Sequence, residues 1–221
     1  MQVSPTTSDR DLYRTAALED DALRSHTEAY DAVLDVHSNI VRSIPFTAYD
    51  VLDLKKNEDQ RDIPAWVLVT THKLLSLSST TSDTHRGSSK NVVLAKIFRL
   101  GMLLFLAPIW RFYGARPTYT EVLVRKFYNL WRTRSIKEDD PQTIQRFQVW
   151  ALCMCAFEAQ ATTCADVRRW AVDLLVQSAT DGLEPLPEVK SILWLPGLFD
   201  IEEATLSREM DKLRNLESVY D

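Results

Sequence analysis

The residue types that most often carry catalysis or hold metals are few in this sequence, and their spacing suits neither task. There are four histidines: His26, His37, His72 and His85. No two of them have the spacing of metal ligands, and neither an HExxH nor a GxSxG motif occurs. Cys153 and Cys155 would point about 200° apart on a helix, unlike the CxxC pairs of zinc sites. We therefore expect no catalytic residues, no metal site and no cofactor site in this chain.

The nearest approach to a catalytic acidic cluster is the run from Glu138 to Asp140, directly before Pro141. Helical isoprenoid synthases use aspartate-rich clusters to hold magnesium on a diphosphate, and an acidic, helical chain invites that comparison. Acidic residues at a helix entrance are also stabilised by the positive end of the helix dipole, and we favour this interpretation. An unrecognised helical enzyme is the least favoured alternative.

Composition limits the classes of protein that this chain can belong to. Its 221 residues are 45% hydrophobic, enough to bury a substantial core, and the formal net charge is -5. An acidic chain is a poor candidate for direct, specific nucleic-acid binding. Five glycines are too few for a design based on glycine-rich phosphate loops, and three cysteines do not make a disulfide framework. We expect buried free thiols in a reducing compartment, and hence a protein that is not secreted.

Apolar residues recur at three-four spacing through most of the chain, and strand alternation is absent. The pattern predicts an all-α fold, a single irregular bundle of about seven to nine helices. Residues 92–110 indicate a long apolar helix, whose uncharged run is too short to span a bilayer and favours a buried core helix without membrane contact. The uncharged residues 147–157 predict the central helix. Thr163 and Asp166 are spaced to cap the helix that follows.

The predicted domain organisation is simple. Residues 1–10 are polar and are expected to be frayed, and residues 11–221 are expected to form one helical domain. A run of Ser, Thr and Asp over about residues 78–90 predicts a mobile polar loop within it. Pro108 is expected to kink or end its helix, and Gly114 is placed to close it.

Positive charge is concentrated in the middle of the chain, where Glu121 is the single acid between Lys96 and Lys137. One interpretation is a basic face that docks an acidic partner or an acidic segment of the same protein. The other is the solvent-exposed side of buried helices, with the charge compensated across the fold. The candidate docking residues are Arg99, Arg111, Arg116, Arg125, Lys126, Arg132 and Arg134.

Three segments resemble the regulatory domain of fungal-specific zinc-cluster transcription factors. Residues 98–108 (FRLGMLLFLAP) resemble the Arg-Leu-x-x-Leu-Leu-Tyr-Leu helix of that family. Residues 149–159 (VWALCMCAFEA) resemble its Trp-Ala-Leu helix, although Cys155 and Ala156 stand where the family often has Gly. Residues 188–194 (EVKSILW) resemble its closing segment, which ends in Trp. The order of the segments and the gaps between them also fit.

The resemblance implies a nuclear regulatory domain that controls transcription by binding protein partners or a small-molecule effector. The family binds DNA through an upstream six-cysteine zinc cluster, which three cysteines cannot build. Zinc is therefore expected only if such a cluster precedes this sequence, and the chain itself is expected not to bind DNA specifically. The alternative is a standalone helical interaction domain. Outside the resemblance, the composition alone fits a cytoplasmic protein equally well.

Overall fold

The structure is a computed structural model, and the residues described are 35–42, 63–77, 90–115, 119–132, 142–180, 185–195 and 198–217. Within these ranges the chain forms eight helices and no strand, which confirms the all-α prediction. The helices are α1 (35–42), α2 (Ala65–Ser76), α3 (Lys90–Phe112), α4 (Thr120–Arg132), α5 (Gln142–Ala161), α6 (Ala165–Thr180), α7 (Pro185–Ile192) and α8 (Asp200–Glu217). The expected frayed N-terminus and residues 78–89 of the expected polar loop lie outside the described ranges.

Helix α5 lies at the centre of the bundle, as its uncharged sequence predicts. It packs against α3, α4, α6, α7 and α8, and every residue from 147 to 159 is buried. A helix that is apolar on all sides can be stable in water only when its neighbours cover all of it. Residues 147–157 therefore carry no charge because the helix lies at the centre of the bundle.

Helix α3 is the second element of the core, and residues 100–109 are all buried. Pro108 lies inside this helix and does not end it, because the helix continues to Phe112. The end is set by Gly114, whose φ of 76° belongs to the left-handed region that a side chain disfavours. The Gly114 N–H donates to the carbonyl of Arg111 at 2.9 Å, and Ala115 donates to Trp110 at 3.0 Å. The sequence expectation for Gly114 is confirmed.

The apolar length of α3 also satisfies the simple criteria for a membrane span. Residues 93–112 have a mean hydropathy of 1.8, and 78% of the most apolar window is buried within the fold. A buried core helix has this same character, and neighbouring helices cover this one.

The turn between α5 and α6 differs from the expectation that Thr163 caps α6. Thr163 has a φ of 61° and follows the end of α5, where the next N–H, that of Cys164, donates to the carbonyl of Ala159 at 3.1 Å. The first carbonyl of α6 to accept a helical bond is that of Cys164, from Arg168 at 2.9 Å. The predicted cap is therefore wrong, because Thr163 terminates the preceding helix.

Candidate partner-docking surfaces

The three segments that carry the family resemblance meet at one place in the core. A Cβ atom added to Gly101 of α3 would lie 2.8 Å from the Cβ of Ala151 and 3.1 Å from the ring of Trp150. Trp150 in turn donates its indole N–H to the carbonyl of Leu193 at 3.2 Å. The Trp194 ring lies 6.3 Å from the ring of Phe157, between centroids. Segments distant in sequence thus form one packed unit.

An ion pair between α3 and α5 accounts for one of the candidate docking residues. Arg111 donates two hydrogen bonds of 2.6 Å to the two carboxylate oxygens of Glu158. The Glu158 side chain is 1% exposed and that of Arg111 is 35% exposed. Arg111 therefore compensates a buried acid of its own chain, and its guanidinium does not face an external partner in this conformation.

Burial and pairing act in opposite directions on the carboxyl of Glu158. Its removal from water raises the pKa, and the hydrogen bonds from Arg111 lower it, with burial the larger effect. A second acid, Glu202 of α8, is close enough to add to the rise through charge repulsion. The hydrogen bonds that Arg111 donates to Glu158 raise the pKa of the guanidinium and stabilise its positive charge.

Three of the candidate basic residues lie on the exposed side of α4. Arg125 forms an exposed ion pair of 2.5 Å with Asp166 of α6, which lowers the pKa of that carboxyl. Arg132 is exposed, lies 5.4 Å from the centroid of the Tyr128 ring and donates to its hydroxyl at 3.2 Å. Lys126 is exposed on the same side of the helix.

The remaining candidates are elsewhere. Arg99 of α3 is half-buried, its Nε has no hydrogen-bond partner among the described residues, and burial lowers its pKa. Arg116 and Arg134 lie outside the described residues. The structure thus brings Arg125, Lys126 and Arg132 together on one helix face and directs Arg111 to a different site. We name the exposed side of α4 the α4 face; it comprises Tyr119, Glu121, Val122, Arg125, Lys126, Asn129 and Arg132.

The α4 face combines apolar and basic side chains. Tyr119 is 70% exposed and Val122 is 46% exposed, while Val124, Phe127 and Trp131 on the opposite side are buried. The buried side fixes the helix on the core, so the exposed cations project from a backbone of fixed position. Such an arrangement suits a partner that offers carboxylates around a small apolar contact.

A second surface, which the sequence reading did not identify, lies on α2. Leu68, Val69 and Leu75 are each about half exposed, whereas Val67 and Leu74 are buried. The sequence does indicate this surface, because residues 65–77 contain apolar residues on more than one side of the helix and no acidic residue. Exposed apolar groups that share one helix face are typical of protein contact surfaces.

Glu158 was also missed, although it is the one acid within an otherwise uncharged stretch of α5. An isolated carboxylate beside a continuous apolar run indicates a buried charge that needs a cation. The sequence could not say which cation, because Arg111 is 47 residues away.

The three cysteines, Cys153, Cys155 and Cys164, are free and buried, as the sequence predicts. Burial raises the pKa of the first two. Among the described residues, no group of three or more His, Cys, Asp or Glu side chains is arranged to hold a metal ion.

No protein-family model, no curated protein and no solved structure matches this chain. The family resemblance accordingly rests on the three segments themselves.

Proposed function

We propose that this chain is a regulatory domain of the fungal zinc-cluster transcription-factor type, which acts in the nucleus by binding a protein partner or effector and has no catalytic role. The observation that supports this proposal is the contact of the three family-like segments around Gly101, Trp150 and Leu193. Contact between the three segments is expected if together they form the core of such a domain.

The proposed mechanism is a change in the population of two conformations. A partner controls a domain of this kind only if it binds one conformation more tightly than the other. The α4 face offers the contact, with Val122 at its apolar centre and Lys126 and Arg132 as cations for an acidic partner. No cofactor takes part in this scheme.

The test is a reporter assay in a fungal host. The full chain is inserted between a heterologous DNA-binding domain and a strong activation domain. We expect reporter output to differ severalfold from that of a fusion carrying an unrelated helical domain of equal size. Unchanged output would contradict the regulatory proposal. Microscopy of the tagged chain checks the nuclear location.

The contribution of the α4 face is tested in the same fusion. The double variant Lys126→Glu/Arg132→Glu is expected to abolish the effect of the insertion. The matched control is Arg42→Glu/Arg169→Glu, which makes the same charge change at two exposed cations outside α4. Equal effects of the two double variants would show that net charge, and not the α4 face, is responsible.

A standalone helical interaction domain is the second candidate, and the apolar face of α2 favours it. Leu68 and Val69 are exposed side by side on that helix, where a transcriptional role does not require them. This candidate predicts an unchanged reporter. It also predicts a cellular partner that the full chain binds and that Leu68→Ser/Val69→Ser loses, while Lys126→Glu/Arg132→Glu retains it.

A further inference from the structure

The last helix, α8, is attached to the bundle by charged residues as much as by apolar ones. Glu203 forms an ion pair of 2.6 Å with Lys190 of α7. Glu209, about two turns further along, forms one of 2.9 Å with Arg168 of α6. Glutamates of one helix thus face cations supplied by different neighbouring helices.

A third glutamate of α8 belongs to the same arrangement. Glu202 lies close enough to Arg111 of α3 to raise the pKa of its guanidinium, although that side chain donates its two hydrogen bonds of 2.6 Å to Glu158. The Oε2 atom of Glu202 is buried and has no hydrogen-bond partner among the described residues. The attraction of Glu202 to Arg111 is offset by its repulsion from Glu158, so this carboxylate attaches α8 only weakly.

The apolar attachment of α8 is short. Leu206 and Met210 are its buried apolar side chains within the described part of the helix. Phe199, just before the helix, is buried and stacks on the rings of Phe105 and Phe157, with centroids 5.5 Å and 5.9 Å away. A helix with few buried apolar side chains is expected at the low end of the range of local stabilities.

The cations beneath α8 do not depend on α8 for their position. Arg168 is 9% exposed and donates a second hydrogen bond, of 2.7 Å, to the carbonyl of Ala156 in α5. Arg111 is fixed by Glu158. Lys190 lies 5.4 Å from the centroid of the Trp194 ring. When α8 leaves, a preformed set of cations beside the sites of Leu206 and Met210 remains.

We propose that the surface beneath α8, which we call the α8 groove, is a docking site for an acidic amphipathic helix of a partner protein, and that α8 is its resident competitor. The groove is defined by Arg168 and Lys190 together with the pocket for Leu206 and Met210, whereas the charge of Arg111 is neutralised by Glu158. Residues 198–217 contain six acidic and three basic residues, so the resident helix displays the chemistry that the groove selects. The proposal goes beyond the function proposed above, which uses the α4 face.

The first experiment measures the opening of α8 by hydrogen exchange in the full chain. We expect the amides of α8 to exchange faster than those of α5, and added salt to accelerate α8 more than α5, because the ion pairs at Lys190 and Glu209 are partly exposed and therefore screened. Leu206→Ala is expected to accelerate α8 further. Protection of α8 equal to that of α5, or an α8 that neither salt nor this variant loosens, would overturn the proposal.

The second experiment measures docking with a fluorescent peptide of residues 198–217 added to the full chain. The apparent affinity depends on the fraction of chains with a vacant groove. We therefore expect binding to Leu206→Ala to be about tenfold tighter than to the unaltered chain, because truncating a buried leucine opens α8. A loosened α8 without peptide binding would overturn the proposal.

Reversing the charges of the Lys190–Glu203 pair then distinguishes the loss of one specific contact from a general loss of folding. In the Leu206→Ala background, Lys190→Glu weakens the unaltered peptide and the resident α8 alike, so the comparison is between two peptides on this one chain. The Glu203→Lys peptide, which restores the charge pair, is expected to bind about threefold more tightly than the unaltered peptide, a preference that a misfolded chain could not show. Lys126→Glu on α4 is the matched control. It should leave peptide binding unchanged, whether or not the reporter assay supports the proposed function. Failure of the restoring peptide, or a stable dimer of the unaltered chain with exchanged α8 helices, would overturn the proposal.

Discussion

The guanidinium of Arg111 and the carboxylate of Glu158 are joined by two parallel hydrogen bonds of 2.6 Å, yet only one of the two partners is fully withdrawn from water. This asymmetry matters because the cost of breaking an ion pair falls on the charge that stays behind in the protein. A stranded Glu158 would be buried, whereas a stranded Arg111 keeps contact with solvent.

We predict that Arg111→Leu destabilises the fold more than Glu158→Leu does. The first change leaves a buried carboxylate uncompensated and is expected to cost about 3 kcal/mol, while the second is expected to cost about 1 kcal/mol. Urea unfolding at pH 7 measures both. The double variant should cost less than the sum of the two, and equal costs for the single variants would contradict the asymmetry.

The cost of Arg111→Leu is also expected to depend on pH. Without the guanidinium, burial raises the pKa of Glu158 further above its ordinary value, so the folded state binds a proton more readily than the unfolded state. The penalty is then largest at neutral pH and shrinks as pH falls towards about 4, where the carboxyl is protonated in both states. A penalty independent of pH would contradict this account.

A second prediction concerns the close approach of α3 and α5. Gly101→Ala would place a Cβ 2.8 Å from that of Ala151 and is expected to cost about 1–3 kcal/mol, despite the better helix propensity of alanine. Thermal unfolding measures the loss. Ala151→Gly in the same chain removes the nearest opposing atom and should recover part of the loss, measured against Ala151→Gly alone, which itself costs about 1 kcal/mol in helix propensity.

The other described glycine supplies the control. Gly114→Ala meets no atom within 4 Å, but it places a side chain at a φ of 76° and is expected to cost about 1–2 kcal/mol. Ala151→Gly should not rescue this variant. Rescue of both glycine variants, or of neither, would show that the contact at Gly101 is not specific.

The parts of the fold that the sequence predicted are those set by local physics. The uncharged residues 147–157 required a central helix, and Gly114 marked a helix end by its conformational freedom. Thr163 was assigned to the wrong helix because the same short segment both ends α5 and begins α6. Local sequence gives the position of a boundary between two helices, but it does not show whether a residue there ends the first helix or begins the second.

The docking surfaces could be predicted only in part. Arg125, Lys126 and Arg132 share a face because they lie on one helix, and spacing alone gives that result. Arg111 was grouped with them by sequence proximity, although its partner Glu158 lies on a helix 47 residues away. Pairing between helices depends on which helices become neighbours, and no single-sequence pattern determines that.

The third prediction is that the thiols are inert in the folded protein. Cys153, Cys155 and Cys164 are buried, and burial raises the pKa of Cys153 and Cys155, so the reactive thiolate is suppressed. An aromatic disulfide reagent is expected to label none of the three in native buffer and all three in denaturant. Labelling of the native chain at the rate of free cysteine would contradict the burial of these side chains.

The fourth prediction concerns His37 of α1, which is buried with its ring 5.3 Å from the ring of Phe147, between centroids. Burial lowers its pKa from 6.5 to about 4. The unfolded chain therefore binds a proton that the folded chain excludes, and the free energy of unfolding falls as pH drops from about 6.5 to about 4. The loss expected from this residue is about 3 kcal/mol.

The comparison that isolates His37 is the difference between the unaltered chain and His37→Gln, which is polar but does not titrate. Carboxyl groups also titrate in this range, and their effect cancels in the difference. Urea unfolding at half-unit steps from pH 7.5 to pH 4 should show the two chains diverging below pH 6.5, with the unaltered chain losing stability faster. Parallel curves would mean that His37 takes up a proton without cost in the folded state, and that α1 is less firmly packed on Phe147 than its burial indicates.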